Sequence, residues 1–179
     1  MFCMDTIYSI KGWEGFYGIT KDGRVWSCPR IINTSRRKAK IKGRWLKPSR
    51  NGNGYLQLIF KVEGREKTLL LHRILAETFL GCVEGKYIDH IDGDISNNSL
   101  DNLRICTIQQ NNWNSKPTNV ATSKYKGVSW NKNESKWKVS IAIDGKQRHL
   151  GTFADEVDAA KAYEDVAKEI HGEYFRSSI

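Results

Sequence analysis

The amino-acid sequence predicts an α+β protein built from several small antiparallel sheets and few helices. Short runs that alternate apolar and polar residues are separated by glycine-containing turns, which is typical of strands joined by hairpins. Two longer stretches, residues 72–80 and 155–171, instead repeat apolar side chains at helical spacing. No apolar run approaches the roughly 20 residues that span a bilayer, so we expect no association with a membrane.

The first 53 residues are predicted to form a basic antiparallel β module. Residues 8–30 contain short alternating runs, and residues 21–24 form a strong hairpin-turn signal. The run 36–45 is strongly basic and ends in Trp45, which is typical of a mobile loop or arm that contacts phosphates. The predicted DNA-contacting residues of this run are Arg36, Arg37, Lys38, Lys40, Lys42 and Arg44.

The formal net charge of +9 is unevenly distributed along the chain. Residues 1–60 carry 12 Lys and Arg against 3 Asp and Glu, and residues 115–152 carry 8 against 2. Residues 61–114, by contrast, carry 6 basic and 8 acidic side chains, and residues 153–179 carry 3 and 7. Two basic regions on either side of an acidic centre are what we expect of a protein that binds a polyanion through both flanks and requires a metal between them. Solvated surface charge would give the same totals.

The cysteines and the first residues indicate the cellular compartment. Cys3, Cys28, Cys82 and Cys106 are far apart and form no C-x-x-C pair, which argues against a zinc site and for reduced thiols. Residues 1–5 lack the basic start and apolar stretch of a signal peptide. We therefore expect a cytoplasmic protein, located in the host cell if a phage encodes it.

Residues 54–114 form the predicted central domain. Strands are expected at residues 55–60 and 67–71, joined by a turn at residues 63–65. A short amphipathic helix is expected at residues 72–80.

The second half of this central domain concentrates polar functional groups. Residues 87–107 place them between two short apolar runs, and residues 108–114 are expected to add one or two helical turns. A strand, a polar loop, a strand and a helix in that order could bring Asp89, His90 and Asn111 together. Adjacent Asp and His supply a hard oxygen ligand for Mg²⁺ and a base that titrates near neutrality, as phosphodiester hydrolysis requires. A structural Asp–His pair in a loop that satisfies its own backbone remains an alternative.

The C-terminal part is predicted to be a three-stranded antiparallel sheet packed on one helix. Residues 115–123 are polar and are interpreted as a linker, and residues 124–179 form the module itself. Its strands are expected at residues 125–130, 136–143 and 146–151, with an Asp-Gly hairpin turn between the last two. The predicted apolar stripe of the helix at 155–171 comprises Val157, Ala160, Tyr163, Val166, Ala167 and Ile170.

The central domain resembles the HNH endonucleases of phages and mobile introns. The matching motifs occur in order at residues 71–80, 89–93, 97–98, 102–104, 107 and 111–112. Residues 10–30 resemble the small nuclease-associated module often found ahead of such sites.

This resemblance implies a ββα-metal site with assigned roles. Asp89 and Asn111 would hold one divalent ion, Mg²⁺ or alternatively Mn²⁺. His90 would act as general base toward the attacking water, and Asn102 would hold the loop and the orientation of His90. His72 also matches a family position; its role is structural or phosphate-positioning, and we favour the structural one.

The C-terminal module resembles the Apetala-type (ethylene-response-factor) DNA-binding domain over residues 124–178, mainly through residues 125–128, 137–141, 149–153 and 159–163. That family reads the major groove with its sheet. The matching exposed positions, expected to contact DNA, are Lys126, Ser129, Asn131, Lys138, Ser140, Gln147 and His149.

The leading hypothesis is a site-specific, metal-dependent DNA endonuclease of the homing type. It would act on double-stranded DNA as a monomer and cut one strand per engagement, because one active site meets one strand at a time. A non-catalytic, sequence-specific DNA-binding regulator is the main alternative. An RNA-binding protein is a third, disfavoured because no RNP-like run is present.

Overall fold

The computed structural model describes residues 6–33, 37–116, 121–143 and 145–179, and only the backbone of Asn33. It is a mixed structure of several small antiparallel sheets and three α-helices within those residues. The chain forms two compact units, Met1–Thr107 and Ile108–Ile179. Arg36, the middle of the predicted linker and Asp144 of the predicted hairpin turn lie outside the described residues. The division into domains at residues 53, 114 and 123 stays a prediction.

The first unit contains eleven strands within the described residues, and its helix α1 spans Leu71–Phe79. The strands are β1 (Tyr8–Ser9), β2 (Tyr17–Ile19), β3 (Val25–Ser27), β4 (Arg30–Asn33), β5 (Lys38–Ile41), β6 (Arg44–Leu46), β7 (Ser49–Arg50), β8 (Leu56–Val62), β9 (Arg65–Leu70), β10 (Tyr87–His90) and β11 (Leu103–Cys106).

These strands form four antiparallel sheets. The orders are β1-β2-β3-β6 and β7-β8-β9, and the pairs β4-β5 and β10-β11 form two-stranded ribbons. A shared core holds the larger sheets against α1, with Ile19, Phe60 and Leu75 fully buried in it. The rings of Tyr17 and Phe60 stack there at 4.2 Å between centroids. Burial of these side chains supplies the main stabilisation of the unit.

The basic run at residues 36–45 corrects our expectation of a mobile loop or arm. Its described part forms strands β5 and β6. Lys38 and Lys40 are exposed in β5, whereas Ala39 and Ile41 are half-buried. This alternation is the period of a strand with one covered face, and the local excess of charge hid it. We call the ribbon of β4 and β5 the basic hairpin.

The second unit contains α2 (Ile108–Asn114), the strands β12 (Val128–Asn131), β13 (Lys136–Ile143) and β14 (Lys146–Phe153), and α3 (Glu156–His171). The three strands form one antiparallel sheet in sequence order, with a bulge between Val139 and Ser140. The sheet packs on α3 through a core in which Val139 and Ala167 are fully buried. Strand β13 has the bounds that its alternation predicts.

Helix α3 begins where the sequence indicates, but its buried stripe differs from the predicted one. Asp155 is its N-cap and accepts the backbone N–H groups of Val157 and Asp158 at 2.8 and 3.1 Å. Val157, predicted to be buried, is 37% exposed, whereas Glu164 is buried. The Glu164 carboxylate accepts hydrogen bonds from the Ser177 hydroxyl and from the backbone N–H groups of Ser178 and Ile179. That long-range contact allows a charged residue to be buried, and the helical pattern alone does not reveal it.

None of the helices in the described part of the chain has the length and apolar character needed to cross a bilayer.

Candidate active site

The site is built on the β10–β11 ribbon of the first unit. Asp89 and His90 are the last two residues of β10, and they pair with Arg104 and Leu103 of β11. Both side chains are buried, with exposed fractions of 5% for Asp89 and 4% for His90. Burial of a carboxylate and an imidazole is costly without partners, so their surroundings determine what they can do.

Asp89 is neutralised from the opposite strand. The Nε and Nη2 atoms of Arg104 lie 2.8 and 2.7 Å from Asp89 Oδ2. Both side chains are largely buried, and the pairing follows directly from the antiparallel register. Arg104 belongs to the motif at residues 102–104, but no role for it was predicted. The register of a predicted hairpin could have revealed it.

His90 lies in an aromatic and imidazole cluster. Its ring contacts that of His72 edge to face at 5.2 Å between centroids, and Tyr55 lies 5.1 Å from His72 and 6.2 Å from His90. His90 Nε2 lies 3.3 Å from the side-chain oxygen of Asn98. Burial, His90 and Arg73 lower the pKa of His72 to about 4, so His72 is neutral at physiological pH. This cluster orients the His90 ring. Neither Tyr55 nor Asn98 was predicted to be a site residue. Only the fold brings Tyr55 next to His72 and His90.

Asn102 organises the polar loop that follows His90. Its side-chain oxygen accepts the backbone N–H of Asp92 at 3.0 Å. Its Nδ2 donates to Asp92 Oδ1 at 2.9 Å and to the Asn97 carbonyl at 2.8 Å. The Asn102 carbonyl accepts the backbone N–H of Ile91 at 2.9 Å. The loop therefore closes around one buried amide, which agrees with the predicted positioning role without testing it.

Asp92 is the second centre of the same loop. Burial raises the pKa of its carboxyl, but hydrogen bonds from the Asn97 side chain, the Asp94 backbone and Asn102 outweigh this and lower the pKa overall.

Arg50 connects the same loop to the neighbouring sheet, because its guanidinium donates to Ser96 Oγ at 3.0 Å and to the Gly54 carbonyl at 2.8 Å. The loop is thus a structured element, held from both sides.

The donor chemistry fits a hard divalent cation. Carboxylate and amide oxygens are ligands that suit Mg²⁺ and Mn²⁺, and the two predicted ligands, Asp89 and Asn111, are residues of these types. Within the described residues, no group of three or more His, Cys, Asp or Glu side chains is arranged to hold a metal. Asn111 is half-buried in α2 of the second unit, whereas Asp89, His90 and Asn102 come together in the first. The ligand role of Asn111 stays a prediction.

The predicted DNA-contacting residues of the first unit are exposed where they are described. These are Arg37, Lys38, Lys40, Lys42 and Arg44. Lys38 and Lys40 share one face of the basic hairpin with Ile31, which is 70% exposed.

Most of the predicted DNA-contacting residues of the second unit share one face of its sheet. Ser129 pairs with Lys138 in the register, and Ser140 pairs with His149. Asn131 and Gln147 continue the same face by strand alternation. Lys126 is different, because its ammonium group donates to backbone carbonyls at the end of α2. DNA contact by any of these residues stays a prediction.

Two family models match the chain. The one described as HNH endonuclease matches residues 69–113, and the one described as the NUMOD4 motif matches residues 9–61. Protein 3.8 of Escherichia phage T7 is 37% identical over 93 residues, which are 52% of this chain and 76% of that protein. The chain belongs to the HNH endonucleases, as its central motifs predicted.

A phage enzyme of this family is similar both in sequence and in structure. DNA endonuclease I-HmuI of Bacillus phage SP01 is 34% identical over 99 residues, which are 55% of this chain and 50% of that protein. A solved structure that describes DNA binding and cleavage by the HNH homing endonuclease I-HmuI matches this chain with a TM-score of 0.51 and 26% sequence identity. That match covers 92% of this chain and 82% of the other. In sequence, the alignment spans only half the length of I-HmuI.

Proposed function

We propose that this protein is a site-specific, metal-dependent DNA endonuclease of the homing type that hydrolyses one strand of double-stranded DNA at a time. The observation that carries the proposal is the buried Asp89–His90 pair at the end of β10, with the amide of Asn102 closing the loop behind it. The structural likeness to I-HmuI, a homing endonuclease that binds and cleaves DNA, supports the same substrate for this chain.

The chain's residues divide the reaction between them. His90 accepts the proton of the attacking water, whose oxygen bonds to phosphorus while the bond from phosphorus to the leaving sugar oxygen breaks. Asn102 keeps the loop, and with it the His90 ring, in position. Asp89 and Asn111 would hold the divalent ion, Mg²⁺ or alternatively Mn²⁺. When bound, such an ion neutralises phosphate charge and stabilises the leaving oxygen.

Arg104 would support the proposed metal ligand Asp89. Its guanidinium neutralises Asp89 and holds the carboxylate in a single orientation. A ligand fixed in this way loses little side-chain entropy when a cation binds. We therefore assign Arg104 a supporting role behind the proposed ligand.

DNA binding would come from both units. The exposed cations of the basic hairpin and of residues 42–44 supply phosphate contacts in the first unit. In the second unit, the exposed face around Lys138 and His149 would lie against the duplex in the manner of an Apetala-type domain. A monomer with one site would produce nicks, and it would act in the cytoplasm, of the host if a phage encodes it.

The test is cleavage of supercoiled plasmids that carry fragments of the source host's genome. Wild type with Mg²⁺ should convert the plasmid to open circles, and EDTA or His90→Ala should abolish the conversion. Asn133→Ala, in the exposed turn between β12 and β13 and outside the proposed DNA contacts, is the control that should keep the nicking step. If DNA binding in gel shifts is intact but no fragment is cut with any divalent metal, the chain is a sequence-specific DNA-binding regulator instead.

A further inference from the structure

Helix α2 is too short to be stable by itself. It has seven residues, Ile108–Asn114, and isolated helices below about 12 residues are marginal in water. It has no basic residue in its own last turn to complement the carbonyl end of the helix. Its stability must therefore come from tertiary contacts, and the second unit makes two of them.

The first contact comes from Lys126, which lies just before strand β12. Lys126 Nζ donates to the carbonyl oxygens of Trp113 at 2.7 Å and Ser115 at 3.0 Å, and also to that of Asn112. These carbonyls belong to the last turn of α2 and the residue beyond it, where a helix leaves carbonyls without the usual N–H partner. The Asn112 carbonyl also accepts the backbone N–H and the hydroxyl of Ser115, at 3.2 and 2.7 Å. A positive charge at this end also interacts favourably with the helix dipole. Lys126 thus caps α2 from a point 12 residues past its end in sequence.

The second contact is a ring stack. Trp113 of α2 lies parallel to His171, the last residue of α3, at 4.6 Å between centroids and 14° between planes. His171 is only 3% exposed, and the Tyr163 ring lies edge to face with it at 6.4 Å between centroids. Burial and the nearby Lys126 lower the pKa of His171 to about 4, so the stack is neutral at physiological pH.

We propose that Lys126 is a positioning residue of the nuclease rather than a DNA contact: it holds α2, and through α2 it holds Asn111. The role of Asn111 rests on the proposed function, whereas the capping of α2 does not. An ammonium group that serves three carbonyls would have to abandon them to reach a phosphate. The C-terminal module therefore does more than grip DNA, because it also stabilises the helix that carries a proposed metal ligand.

The experiment uses the full chain with Lys126→Met, which keeps the aliphatic stem and removes the ammonium. Hydrogen exchange of the α2 amides should become at least about tenfold faster, as expected for loss of a charged hydrogen-bonded cap. The Mg²⁺ concentration for half-maximal nicking should rise by about tenfold, while the Kd for DNA in EDTA stays within about twofold. Lys126→Arg, which keeps the charge, should restore much of both.

Matched variants separate the possibilities. Lys124→Met removes an exposed lysine two residues earlier and should leave α2 exchange unchanged. Lys138→Met, on the exposed sheet face, should weaken DNA binding without changing the Mg²⁺ requirement. Adding Lys126→Met to Asn111→Ala should raise the Mg²⁺ requirement no further, because both changes act on one ligand.

Two results would overturn the proposal. The first is unchanged α2 exchange in Lys126→Met, and the second is a loss confined to DNA affinity, as in Lys138→Met. If Lys126→Met does not fold, Trp113→Leu weakens the same anchorage from the helix side and should give the same exchange result. If the wild-type chain never nicks DNA, the proposed function is wrong. The hydrogen-exchange measurement still decides whether Lys126 caps α2.

Discussion

Asp89 and Arg104 face each other across the β10–β11 ribbon, and both nitrogen–oxygen contacts fall on a single carboxylate oxygen at 2.7 and 2.8 Å. Removing one partner of a buried ion pair leaves an uncompensated charge, which costs about 3–5 kcal/mol. We expect Arg104→Met to destabilise the ribbon by about that amount, measured by native-state hydrogen exchange of its amides. In the double variant Asp89→Asn/Arg104→Met the cost should be clearly smaller. A double-variant cost equal to the sum of the costs of Arg104→Met and Asp89→Asn alone would show that the pair is not coupled.

Asn102 makes three side-chain hydrogen bonds that shape the loop after His90. Asn102→Ala should therefore misplace the proposed base and slow single-turnover nicking by roughly 100-fold, the effect of a displacement of about 1 Å. DNA affinity should change little. Asn133→Ala, in the exposed turn between β12 and β13, should nick DNA like wild type. A normal rate in Asn102→Ala would remove this residue from the mechanism.

His72 makes stability depend on pH in a defined direction. Its pKa is about 4 in the folded protein and 6.5 as an unperturbed group, so the unfolded chain binds more protons between these values. Stability is therefore full above about pH 6.5 and is lost as the pH falls toward 4. His72→Phe should reduce this loss by up to about 3 kcal/mol, measured by urea denaturation across that range. His149→Phe, at an exposed position, is the control, and an equal effect there would contradict the assignment.

Gly127 allows a close approach between β12, β13 and α3. It has φ of +73°, and a Cβ at this position would lie 2.1 Å from the Tyr163 ring and 2.8 Å from the Ser140 carbonyl. We expect Gly127→Ala to destabilise the second unit by about 3 kcal/mol through overpacking and the unfavourable φ. Gly145→Ala has a similar φ but nothing within 4 Å, so it should cost only about 1 kcal/mol. Thermal unfolding of both variants checks the difference.

The basic hairpin should contribute to DNA binding through charge. Lys38→Ala/Lys40→Ala removes two exposed cations from one face of β5. If both neutralise phosphates, the slope of log K against log salt should become shallower by about 2. Lys86→Ala, also exposed but in the acidic central region, is the control. An unchanged slope would exclude the hairpin from the phosphate contacts.

The described structure confirms some of the expectations drawn from the sequence and corrects others. The alternation of Lys136–Ile143 predicted β13 correctly because one covered face leaves a period of two in the sequence. The same rule failed at the basic hairpin, where lysines on the exposed face made the strand resemble a loop. The adjacent Asp89 and His90 stood out because their chemistry is unusual at that spacing, and the family match supports the domain that contains them.

What the sequence determined by itself is local: turns, alternation, the helix at residues 155–171 and the order of the HNH motifs, all of which depend on near neighbours along the chain. Only the tertiary structure decided that Arg104 neutralises Asp89, that His72 lies against His90, and that Lys126 caps α2. Each of these contacts depends on strand register or on packing between distant segments. The sequence around a lysine is the same whether its ammonium group contacts a phosphate or three carbonyls. Burial in the folded chain determines which of these groups the ammonium can reach.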